Sequence, residues 1–71
     1  MLADRIKITR QKAFLSQEEF ANEINVSVST INRWENGKVK PNLVAMRNIK
    51  NFCESHDLSY DELEKDWFDQ R

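Results

Sequence analysis

L-S-Q-E-E-F-A-N-E-I-N-V-S-V-S-T-I-N-R-W-E-N-G, residues 15–37, contains two helix starts built on the same chemistry. Ser16 is an N-cap with Glu19 three residues on to complete a capping box, and Leu15 and Phe20 hold the two positions of a hydrophobic staple. Ser27 repeats the pattern, with Val26 and Ile31 as its staple and Thr30 at the third helical position. Two short helices joined this tightly cannot run antiparallel. They meet at a steep angle across the turn, as in a helix-turn-helix.

Working outward, Leu2, Ile6, Thr9 and Ala13 mark one face of a helix from about Ala3 to Lys12; Ile8 lies off that stripe. The second helix turns Phe20, Ala21 and Ile24 inward, and Asn25 ends it because Asn tolerates the left-handed conformation of a sharp exit. The third turns Ile31 and Trp34 inward and stops at Asn36-Gly37. Lys38-Val39-Lys40-Pro41 is a short basic connection, and Asn42 can cap a fourth helix that buries Leu43, Met46, Ile49 and Cys53, with Phe52 beside them. Ser59 and Glu62 predict a third capping box, with Leu58 and Leu63 as its staple, opening an acidic helix over about 59–69 that reaches Trp67 and Phe68. No stretch alternates with period two. The expectation is an all-α, five-helix domain spanning 1–71 with its core motif at 16–36.

A 71-residue chain has room for one small core, burying only about 60% of its unfolded surface. The single Cys53 cannot form an internal disulfide, which fits a reducing cytoplasm, and no apolar run approaches membrane-spanning length. The net charge of −1 conceals a division: residues 1–50 carry +4 and residues 51–71 carry −5. A basic body with an acidic end points to two faces with different partners. Cys53 and His56 are too few to make a zinc site, and one glycine cannot build a phosphate cradle. No nucleophile–base–orienter set exists either, so neither catalysis nor a metal or other cofactor is expected.

With Ile31 and Trp34 inward, helix 28–35 presents Val28, Ser29, Asn32 and Arg33 outward. Arg33 can bind guanine O6 and N7 with both arms, Asn32 can pair with adenine, and Val28 can pack on a thymine methyl. Ser29 can bond a base or a phosphate. Gln17 opens the second helix, where its backbone N–H and carboxamide can hold a phosphate. Ser27, Asn36, Lys38 and Lys40 flank the same face as candidate phosphate contacts, which position a protein without reading sequence.

From about Leu2 to Pro41 the chain resembles the phage-repressor and Cro-like helix-turn-helix family, also called the xenobiotic-response-element family. The residues responsible are Ile6, Arg10, L-S-Q-E-E-F-A from Leu15 to Ala21, V-S-x-S-T-I-N-R-W-E-N-G-K from Val26 to Lys38, and Lys40-Pro41. The resemblance implies a lambda-repressor-like fold, with helix 28–35 in the DNA major groove and base contacts from its N-terminal residues. It implies that Arg10 and Glu35 pair as a partly buried ion bridge, and that Gln17 both holds a phosphate and braces the recognition helix. It implies a cytoplasmic transcriptional regulator of a prokaryote or phage, a repressor. The partner would be a pseudo-palindromic double-stranded operator bound by a homodimer, because one domain of this size makes too few contacts for tight specificity.

Three departures from the family pattern carry expectations of their own. Phe14 stands where the family usually has a flexible residue such as Gly, implying a differently built first turn. Asn25 replaces the commonest Gly of the motif's turn, which its conformational tolerance allows. Between Cys53 and Leu58 the chain is longer than usual, implying a longer fourth helix or a looser loop. The aromatics of the acidic end either cap the core or, as Tyr60, Trp67 and Phe68, form a patch for a protein partner. The second option defines an alternative function, an antitoxin-like or co-regulator interaction module.

Overall fold

Side-chain caps set three of the helix starts. Ser16 Oγ accepts from the Glu19 N–H at 3.1 Å while Glu19 Oε1 accepts from the Ser16 N–H at 2.9 Å, completing the box. These bonds hold the Glu19 carboxyl below its ordinary pKa, the Ser16 backbone N–H contributing most and its hydroxyl next. Ser27 Oγ accepts from the Thr30 N–H at 3.1 Å, and Asn42 Oδ1 accepts from the Ala45 N–H at 2.8 Å. The computed structural model describes residues 1–69. Its helices are α1 (Leu2–Lys12), α2 (Gln17–Glu23), α3 (Val28–Glu35), α4 (Leu43–Ser55) and α5 (Asp61–Asp69), with no strand among the described residues.

The first four helices all end in one way. Phe14, Asn25, Gly37 and Asp57 take left-handed φ values of 59°, 61°, 73° and 57°. The next N–H in each case reaches back to a carbonyl in the last turn: Leu15 to Arg10, Val26 to Ala21, Lys38 to Arg33 and Leu58 to Cys53. This is the Schellman exit, which satisfies carbonyls the helix itself leaves open. The expectation of a differently built first turn is therefore corrected. The turn keeps the left-handed geometry and forces a phenylalanine into it, leaving that ring 94% exposed. The extra length before Leu58 goes into the end of α4 and this tight exit, not into a loose loop.

Two expectations about the later helices fail. Ser59 does not cap α5: the helix begins at Asp61, and Ser59 Oγ accepts only from the Asp61 N–H at 3.4 Å. Glu62 is drawn away to Arg5, at 2.9 Å, so the local box loses to an ion pair with α1. Leu43 is 64% exposed, not buried, because it stands at the first position of α4, beyond the core's edge, while Pro41 fills the interior there.

The core gathers Leu2 and Ile6 of α1, Phe20 and Ala21 of α2, Ile24, Ile31 and Trp34, the inner face of α4 and Leu63 of α5. Phe20 and Phe52 meet edge to face at 4.9 Å, a geometry aromatic rings favour. Ala21 is small where α2 crosses α3, and α1 packs on both α3 and α5. Thr9 is buried and its hydroxyl donates to the Arg5 carbonyl at 2.8 Å, so the one polar residue of the α1 stripe is satisfied. Cys53 is fully enclosed, and burial pushes its thiol up to about 11, with the nearby Glu54 charge adding to the effect. His56 pairs through Nε2 with Glu23 Oε1 at 2.9 Å and lies against the Phe52 ring.

Candidate nucleic-acid interface

Trp34 is buried to 3% exposure and Ile31 completely, so the inner face of α3 is committed to packing. The opposite face carries Val28, 45% exposed, with Ser29, Asn32 and Arg33, all exposed. Arg33 forms no ion pair among the described residues, which leaves its guanidinium available to a ligand. A row of one apolar, two neutral polar and one cationic side chain is what mixed base-edge recognition requires.

Behind this face, a network fixes the helix. Arg10 Nε and Nη2 donate to Glu35 Oε2 and Oε1 at 2.7 and 3.0 Å, and Arg10 Nη1 donates to the Leu15 carbonyl at 2.8 Å. Gln17 Nε2 also donates to Glu35 Oε1, at 3.1 Å. One carboxylate at the C-terminal end of α3 thus ties together α1, α2 and the turn between them. The pair is well shielded, with 11% and 4% of the two side chains exposed. The hydrogen bond to Glu35 raises the Arg10 pKa against the opposing effect of burial, so the guanidinium stays charged. Three of Arg10's donors are consumed internally, which makes it a structural residue.

The flanking candidates separate. Lys38 is exposed beside the C-terminal end of α3, and Ser27 combines its capping role with an exposed position. Gln17 is half-buried, with one amide hydrogen committed to Glu35 and a second one left. Asn36 is exposed, but its Nδ2 turns back to Asn32 Oδ1 at 2.9 Å. Lys40 departs from the group: its ammonium reaches the Trp67 carbonyl at 3.5 Å and lies 4.6 Å from the Trp67 ring centroid. A cation–π contact with α5 holds it where the sequence predicted a phosphate contact.

The aromatic end also divides. Tyr60 Oη donates to the Met46 carbonyl at 3.1 Å and Trp67 Nε1 to the Pro41 carbonyl at 2.7 Å, so both are built into the fold. Phe68 alone of the three is open, at 71% exposure. It lines a shallow groove with Leu43, Arg47 and Glu64, and Val44 beside Leu43 is 57% exposed. The sequence reading missed Leu43 and Val44 as surface residues. The signal was present: four consecutive apolar residues, Leu43 to Met46, cannot all face one side of a helix.

An α2–α3 pair packed together across a short turn, a polar outer face on the second helix and an ion bridge behind it are the arrangement of a helix-turn-helix DNA-binding regulator. A family model described as Helix-turn-helix matches residues 6–56, which is most of the chain. The chain belongs to the XRE/Cro-like helix-turn-helix family. Comparison with curated proteins and with solved structures returned no match. No helix among the described residues is long and apolar enough to cross a membrane.

Proposed function

We propose that the protein is a sequence-specific transcriptional repressor that binds a pseudo-palindromic operator as a homodimer and reads the major groove with α3. The observation carrying this reading is the exposed set Val28, Ser29, Asn32 and Arg33 on a helix anchored from behind by Arg10, Glu35 and Gln17. A reading head needs side chains open to the groove on a well-anchored backbone, and the exposure of these four residues together with the Glu35 hydrogen bonds supports that reading. Arg33 reads guanine, Asn32 adenine and Val28 a thymine methyl, while Lys38, Ser27 and the remaining amide hydrogen of Gln17 grip phosphates. Half-sites would lie about one helical turn, ~34 Å, apart.

The homodimer is supported by the groove that exposed Leu43 and Phe68 line with Arg47 and Lys50 of α4 and Glu64 of α5. A two-fold contact sets the same patch against itself, so charges of both signs on one face can pair across it. The interaction-module alternative is weaker, since Tyr60 and Trp67 are spent on internal hydrogen bonds.

Selection from random double-stranded DNA tests the reading. We expect one enriched site with two related halves. Arg33→Ala should lower affinity for it by roughly tenfold or more and relax one position. Lys38→Ala should weaken all sequences alike and make the salt dependence shallower by about one unit of slope. Failure of the wild type to enrich any site would overturn the proposal.

A further inference from the structure

Trp67 lies beyond the helix-turn-helix region, residues 6–56, yet two of its contacts fall on the connection between α3 and α4. Its Nε1 donates to the Pro41 carbonyl at 2.7 Å, and its ring centroid lies 4.6 Å from the Lys40 ammonium. Pro41 is fully buried, so the indole N–H reaches a backbone position that packing also holds. This connection, residues 38–41, carries Lys38 out of the end of the reading helix.

The middle of the connection has little to rest on. Lys38, Val39 and Lys40 border an open cleft of about 320 Å³, with Leu2, Ala3 and Trp34 among its other walls. Val39 is 40% exposed, and its N–H makes no backbone hydrogen bond among the described residues. The course of the segment is therefore set at its two ends. At the first, the Lys38 N–H returns to the Arg33 carbonyl at 3.0 Å. That bond fixes the N–H but leaves rotation about the N–Cα bond, one of the two soft dihedrals of the residue. Such rotation swings the lysine side chain and the following chain together, so a restraint three residues on also decides where Lys38 points. Trp67 supplies part of that restraint from α5, at Pro41.

We infer that Trp67 is a positioning residue for the DNA backbone: it holds the 38–41 connection so that Lys38 meets a phosphate already aimed. This rests on the DNA-binding function proposed above. An ordered mount spares the complex part of the entropy cost of immobilising a long side chain. Phosphate contacts carry no sequence information, so the benefit is shared by every sequence and appears in the salt dependence.

Trp67 also borders the groove of Leu43 and Phe68, so the test uses DNA with a single half of the selected operator, which needs no second copy. Trp67→Phe keeps an aromatic ring and removes the N–H. It should weaken binding roughly three- to tenfold on every half-site sequence alike, with a shallower salt dependence and the same base preferences. Combined with Lys38→Ala it should add little, because the lysine it positions is gone. A lower folded fraction would scale every affinity without changing the salt slope, so the slope separates positioning from destabilisation. An unchanged slope, an altered base preference, or losses that multiply in full in the double variant overturns the inference while leaving DNA binding standing. Should Trp67→Phe fail to fold, NMR relaxation of the wild type carries the test. The amides of Lys38, Val39 and Lys40 should show helix-like order parameters of about 0.85, and values near or below about 0.6 overturn the inference. A wild type that selects no site is a different result, removing the DNA reading and this inference together.

Discussion

Phe14 holds φ at 59° with its ring almost wholly in water. A left-handed non-glycine residue costs about 1–2 kcal/mol from the clash of its β-carbon with the backbone, and no buried apolar area offsets that here. Phe14→Gly should stabilise the fold by about 1 kcal/mol, less than the full relief because glycine gains freedom in the unfolded chain. Thermal melts followed by circular dichroism should show a rise of roughly 4–8 °C, and a fall would mean that the ring has a packing role. Asn25 and Gly37 were legible as helix exits because their residue types favour that conformation. Phe14 was not, because nothing in its side chain signals it. The bonds from Leu15 to Arg10 and from Phe14 to Gln11 impose the turn from outside the residue.

Among the elements, α3 is anchored by partners remote in sequence. Glu35→Ala would leave the Arg10 guanidinium shielded and unpaired, at a cost of about 3 kcal/mol or more. That is much of the stability of a 71-residue domain, on the order of 4–10 kcal/mol. Replacing both members, Arg10→Met with Glu35→Leu, should restore most of the loss, because no buried charge then remains. Urea unfolding of the single and double variants checks this: a double variant no more stable than Glu35→Ala would contradict it. The caps at Ser16 and Ser27 could be read locally because each bonds within its own first turn. Ser59 could not, since its intended partner Glu62 is claimed by Arg5 of another helix. Asn32 and Arg33 were readable as outward once Ile31 and Trp34 were placed inward, a consequence of helical period alone. The turn of Asn36 toward Asn32 needed coordinates, since the C-cap geometry decides it.

For the molecule as a whole, what the sequence could not supply is the return path of α5. That path decides that Lys40 meets Trp67 and that Leu43 and Phe68 share an open groove. A period of 3.6 tells which residues of a helix lie together, and it is silent on where a neighbouring helix stops covering them. The described surface totals 4774 Å², while a stable dimer buries about 800 Å² per partner. Two large exposed apolar side chains, Leu43 and Phe68, make only part of such an area, so association in solution should be weak and completed on the operator. Phe68→Glu should therefore leave the thermal melt nearly unchanged and shift sedimentation toward monomer. It should also reduce affinity for the two-half operator far more than for an isolated half-site. Equal losses on both DNAs would place Phe68 outside the dimer contact.

The packing of α1 against α5 bears on the order in which the protein is made. Arg5 reaches Glu62 at 2.9 Å and Asp66 at 3.8 Å, and Leu63 is buried in the same core as Leu2 and Ile6. Of the five helices, translation delivers α1 first and α5 last. The helix that brings Arg10 to Glu35 thus waits for its second support until the others have emerged. Without α5, the scaffold behind α3 lacks one wall of its core. The Arg10–Glu35 bridge behind α3 is thereby supported, through α1, by the helix that is made last of the five.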